Sequence, residues 1–189
     1  MNIKSLNCIL MAVVFMFLAG TFFMAAADED HHERHRERKR ERHRENYHSE
    51  EYLQTVNNPV FKEQCGECHF AYQPELLPSA SWMKILGNLD DHFGDAVELD
   101  EDAKRIISDY LKSNGAEKSS AVIAVKIMRS LHNQIPLRIT DTPYIIDKHH
   151  EISAQILNRE SIGSLSNCTA CHMTAENGNY DEDAVRIPK

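Results

Sequence analysis

The sequence predicts a mostly α-helical protein with a short motif of one type near each end of its folded part. Three observations predict it. Apolar residues recur at three- and four-residue spacing through most of the chain after residue 52, helix caps and stops flank those stretches, and Cys65-Gly66-Glu67-Cys68-His69 is matched in pattern by Cys168-Thr169-Ala170-Cys171-His172.

Taken in order, residues 59–70 predict a helix that carries the first motif. Residues 81–93 predict an amphipathic helix, because Trp82, Ile85, Leu89 and His92 stand at 3, 4 and 3 spacing. Asp100 is the N-cap of a third helix whose apolar face is Ala103, Ile106, Ile107, Tyr110 and Leu111, and Gly115 is its stop. Residues 120–131 are ambiguous, since Ala121-Val122-Ile123-Ala124-Val125 suits a strand as well as a helix. Thr142-Pro143 opens another helix, with proline at its first position, expected to run to about residue 158. Ser166 or Asn167 caps a short helix at the second motif.

The N-terminus has a different character. Lys4, an apolar run and then Ala25-Ala26-Ala27 before acidic residues make the order of a secretory signal peptide over 1–27. An uncleaved anchor is the alternative, because 8–24 is almost wholly apolar. Residues 28–51 are rich in His, Arg and Glu, and 30–51 contains no aliphatic residue, so this stretch reads as a solvated tether. His31, His32, His35 and His43 within it invite loose binding of a transition metal. The remainder divides into expected units at 52–117 and 118–189. Cleavage would remove Lys4 and no carboxylate, leaving the chain one unit more negative than its formal −8. Such a balance argues against nucleic acid and suits steering toward a basic partner.

The motifs carry the chemistry. In C-x-x-C-H, two thiols form thioethers to a haem and the next histidine ligates its iron. Cysteines three apart on a helical turn share a face. A C-x-x-C pair can also be half of a zinc site or a redox dithiol. Here both pairs carry the histidine, and every cysteine except Cys8 in the leader belongs to one of them. Two covalent haems c are expected, on Cys65 and Cys68 with His69, and on Cys168 and Cys171 with His172. A zinc site would have to join pairs about a hundred residues apart.

The sixth position of each iron separates electron transfer from ligand chemistry. The candidates are His92, His132, His149, His150, Met83, Met128 and Met173. His92 lies on the apolar Trp82 face, where an unpaired ring would be costly. His149 has Ile145, Ile152 and Ile156 at −4, +3 and +7, a more apolar setting than that of His150. Met83 reads as core, Met173 is badly placed to reach the opposite face of the haem beside His172, and His132 can simply end a helix.

The segments Leu89-Asp90-Asp91-His92-Phe93-Gly94-Asp95-Ala96 after Trp82 and Leu86, Pro136-Leu137-Arg138-Ile139-Thr140-Asp141-Thr142-Pro143-Tyr144, Lys148-His149 with Glu151-Ile152, and Ser166-Asn167-Cys168 resemble the dihaem cytochrome c family of secreted bacterial proteins. The similarity runs from about residue 58 to the closing Val185-Arg186-Ile187-Pro188. The resemblance implies an N-terminal part like a small class I cytochrome c and a small helical C-terminal haem-binding part. It also implies bis-histidine ligation, with His92 and His149 as distal ligands; the pairing nearest in sequence is His69 with His92 and His149 with His172.

The expected function is a periplasmic carrier that moves single electrons through two low-spin haems, and not an enzyme. Its expected partners are other redox proteins, a membrane b-type cytochrome or a soluble haem protein, with no stable membrane insertion once the leader is cleaved. The alternative is a haem enzyme or gas sensor with one exchangeable axial site. A third reading makes the charged stretch a metal-binding or docking module.

Overall fold

Local chemistry starts the first helix. The side-chain oxygen of Asn58 accepts from the Phe61 N–H at 2.9 Å, and Pro59 occupies the first turn, where its missing donor costs nothing. The structure, a computed structural model, describes residues 38–39 and 52–189. The leader, His31, His32, His35, His43 and nearly all of the charged stretch lie outside the described residues. Residues 52–189 belong to one compact unit.

That unit is mostly α. It contains α1 (Pro59–Cys65), α2 (Ser79–Leu86), α3 (Glu101–Asn114), α4 (Val122–Ser130), α5 (Pro143–His149) and α6 (Ala154–Leu157), joined by short 3₁₀ turns. Among the described residues there is no sheet, and the extended pairing is an isolated bridge between His92 and Asp95. Asp100 caps α3 as expected, accepting from the Ala103 N–H at 2.7 Å. The ambiguous stretch resolves into α4, because Ala124 and Ile127, three residues apart, are both fully buried.

Three expected helices are shorter than their apolar spacing suggested. The first stops at Cys65, and its motif continues as a bend. A β-carbon at Gly66 would stand 2.3 Å from the Lys62 carbonyl oxygen, so this exit from the helix requires glycine. The second breaks after Leu86 and resumes as a 3₁₀ turn, Leu89–Asp91. His92 therefore does not lie on a helical face with Trp82, and the periodicity that singled it out is not the geometry that places it. The third is interrupted at residues 150–153, where extended Ser153 begins α6.

Two apolar clusters hold the unit. One packs α1, α2 and α3 through Phe61, Leu77, Trp82, Leu86, Ile107 and Leu111. The Trp82 indole donates to the Pro74 carbonyl at 2.7 Å, so its polar edge is not stranded. The other joins Leu53, Leu76 and Ala116 to Ala121, Ala124, Ile127 and Leu131 of the α4 region. The buried residues 73–78 run between these clusters and so lie close to both motifs.

Candidate haem centres

The first site is assembled from a helix end and a tight turn. Cys65 closes α1, while Cys68 and His69 follow in the bend. His69 is oriented by a hydrogen bond between Nδ1 and the Phe70 carbonyl at 2.9 Å. His92 reaches it from a four-residue turn in which the His92 N–H donates to the Asp95 carbonyl at 2.7 Å. Phe93 and Gly94 occupy the middle of that turn with φ of 62° and 108°. Positive φ at both central positions is the hairpin type that glycine tolerates and phenylalanine resists. Asp91 steadies it by accepting from the Gly94 N–H at 3.0 Å, and the Arg138 guanidinium lies 4.0 Å from the Phe93 ring centre. The outcome is that the His69 and His92 rings face each other at 6.4 Å between centroids, 24° from parallel.

The second site is built from short elements around a cavity of about 410 Å³. Cys168 and Ala170 bound a 3₁₀ turn, with Asn167 before it. Asn167 does not cap that turn with its side chain; its amide instead donates to the Ile162 carbonyl at 2.9 Å. Facing the turn is α5, which ends at His149, where Nδ1 bonds the Ile145 carbonyl one turn back at 2.8 Å. His149 and His172 stand 6.1 Å apart at 68°. Ile145, Ile156, Leu157, Ile162 and Leu165 supply apolar walls.

Each of the two ring pairs matches the spacing of imidazoles on opposite faces of one metal. With metal–nitrogen bonds of about 2.0 Å, the two ring centres lie roughly 6 to 6.5 Å apart. Nδ1 of His92 and Nδ1 of His172 are buried without a hydrogen-bond partner, a cost the protein bears at these two rings. Burial first, and then the neighbouring histidine in each pair, lowers the pKa of His92 and of His172 below the ordinary histidine value. Asp95 opposes that shift at His92 and Arg138 adds to it. Both shifts favour the neutral ring, the form that binds a metal.

The thiols are free, and burial raises Cys65 and Cys168 to about 11. Neither of these two thiols has the lowered value of a dithiol that works by exchange. Among the described residues no three His, Cys, Asp or Glu side chains converge as a metal cluster, which removes the shared zinc site. The donor set fits two haems c.

Of the other candidates, His150 also borders the cavity of the second site but is exposed, its Nδ1 bonded to the Asp147 carbonyl, and His132 is exposed with φ of 44°. Met83 packs in the α1–α3 cluster and accepts from the Ser108 hydroxyl at 3.3 Å, Met128 packs against the other cluster, and Met173 is exposed. Sequence reasoning missed Tyr72 and Tyr180, whose rings lie 4.8 Å from His69 and 5.4 Å from His172. Their position shortly after each motif is the available signal. It also missed Gln73, whose partners are too distant in sequence to signal it.

These features define a c-type cytochrome with two haem centres. The family model for dihaem cytochrome c matches residues 61–180, more than half of the chain. The fold is similar to a diheme cytochrome c from Rhodobacter sphaeroides, with TM-score 0.60 and 37% identity over 68% of this chain and 100% of that one. It is also similar to the diheme cytochrome from Shewanella baltica OS155, with TM-score 0.58 and 36% identity over 69% of this chain and 93% of that one. No protein of curated function matches at the same significance. The chain belongs to the dihaem cytochrome c family, whose members are typically electron carriers. No described helix is long and apolar enough to cross a membrane.

Proposed function

We propose that the protein is a periplasmic carrier of single electrons. In this reading His69 and His92 ligate the haem held by Cys65 and Cys68, and His172 and His149 ligate the haem held by Cys168 and Cys171. The observation that carries it is the repeated facing of two histidine rings at 6.4 and 6.1 Å, each pair including one motif histidine. Bound haem supplies reversible one-electron chemistry at iron, at potentials lower for bis-histidine than for histidine–methionine ligation.

The chain's own contribution would be two histidines for each haem, which would leave no site for an exchangeable ligand. It holds His69 and His149 through Nδ1 to backbone carbonyls, which sets ring orientation and basicity. The apolar walls of the second site keep water from the group, a lever on its potential. The leader-like N-terminus and the compartment in which such haems are attached support a periplasmic location. Negative charge supports docking on basic faces of redox partners, whether a membrane b-type cytochrome or a soluble haem protein.

Absorption spectra of the ferric and ferrous holo-protein, with and without carbon monoxide and after a pyridine haemochrome count, test this. Two c-type haems, low-spin in both states and indifferent to carbon monoxide, are expected. A haem that binds carbon monoxide would overturn the carrier reading in favour of an exchangeable site.

A further inference from the structure

The two histidines that follow the motifs are held differently. Nδ1 of His69 has the Phe70 carbonyl, whereas Nδ1 of His172 is buried with no partner. Ligating histidines ordinarily owe their ring orientation to a hydrogen bond at the second nitrogen. For His172 that anchor is missing, and packing must replace it. The ring that packs there, besides His149, is Tyr180, at 5.4 Å and 59°.

Tyr180 is itself tied in place. Its hydroxyl donates to Oε1 of Gln73 at 2.6 Å, and Nε2 of Gln73 donates to the Ala175 carbonyl at 2.6 Å. Gln73 is completely buried, so its amide has no competing solvent. Ala175 is three residues past His172, and its N–H donates to the His172 carbonyl at 3.0 Å. One amide from the first half of the chain therefore grips the second motif's loop at two points downstream of the histidine. Pairing both ends of a buried amide makes the arrangement specific, since breaking one bond strands a polar group in the interior.

We propose that Tyr180, locked by Gln73, is a positioning residue that sets the His172 ring across the His149 ring, and thereby makes the second haem electronically distinct from the first. The inference rests on the ligation proposed above. Near-parallel axial imidazoles, such as His69 and His92 at 24°, interact chiefly with one of the two iron d orbitals available for π bonding and split them. Crossed rings, such as His149 and His172 at 68°, interact with both and leave them closer in energy. Ring orientation is thus a property of the axial ligands that the protein sets through the surrounding residues.

Low-temperature electron paramagnetic resonance of the ferric full-length holo-protein reads this directly. The native protein is expected to give one rhombic low-spin signal and one strongly anisotropic signal with a larger maximal g. Tyr180→Leu is expected to lose the large-g signal and keep the rhombic one. Gln73→Leu is expected to shift the large-g signal, because the Tyr180 hydroxyl and the Ala175 carbonyl both lose their partner. Two rhombic signals in the native protein would overturn the inference, and so would an unchanged large-g signal in Gln73→Leu, even if Tyr180→Leu yields no holo-protein. Two carbon monoxide-indifferent low-spin haems with these negative results would sink the positioning role alone. A high-spin or carbon monoxide-binding second haem would overturn the ligation reading and the inference with it.

Discussion

The two haem centres carry the same motif on different foundations. The first rests against a core that three helices build together with Val56 and Leu77, with Ile107 and Leu111 buried at its centre. The second is walled by α5 and α6, neither of which buries a residue of its own, and by loops tied to distant segments. Those ties include Tyr72 donating to the Ser166 carbonyl at 2.6 Å, the Gln73 bridge, and an exposed ion pair between Lys148 of α5 and Glu182. The difference teaches that one motif can be added to a core that side chains already stabilise, or can itself be the reason that a set of short elements closes. In the second case the apolar area of the attached group stands where a helix face would.

Removing the attachment points one site at a time breaks the comparison most directly. Cys65→Ala with Cys68→Ala and Cys168→Ala with Cys171→Ala should each lower the haemochrome count from two to one. Only the second pair should expose residues 143–165 to limited proteolysis and reduce helical circular dichroism, because neither α5 nor α6 has a fully buried residue to hold it. Equal damage from both pairs would contradict the contrast. Next in size, Ile107→Ala should cost about 2–5 kcal/mol in denaturant unfolding while both haems remain low-spin. Gly94→Ala, at φ of 108°, should cost on the order of 1–3 kcal/mol and perturb the spectrum of the first haem alone, since the turn positions His92.

The smallest effect sharpens the picture at the second site. The hydrogen bond and charge of Lys148 hold the Glu182 carboxyl below the usual carboxylate range. A folded value below the unfolded one means that this contribution is present at neutral pH and is lost as pH falls through the folded value. In Lys148→Ala, a carboxyl titration of Glu182 followed by nuclear magnetic resonance should move up to the ordinary range. Salt should do the same to the native protein, because both side chains are exposed. A Glu182 titration that ignores both changes would remove the pair from the list of ties.

Much of this protein was decided within short stretches of its sequence. Asp100 and Asn58 start helices through bonds that span three residues, Pro59 suits the first turn without one, and C-x-x-C-H brings its thiols and histidine together by covalent spacing alone. The mostly helical class was legible for the same reason. Helix lengths were not, because apolar periodicity continued through residues 87–88 and 150–153 while the backbone turned away to bring His92 and Ser153 into their own turns. The helical-face argument for His92 does not hold, since the His92–Asp95 turn with its strained Phe93 brings the ring opposite His69. Nothing local marks Gln73, whose two partners lie 102 and 107 residues away. Short-range bonds are written in neighbouring side chains; ring angles and bridges between segments depend on how close the packed chain brings residues that are far apart along it, and that only the tertiary structure decided.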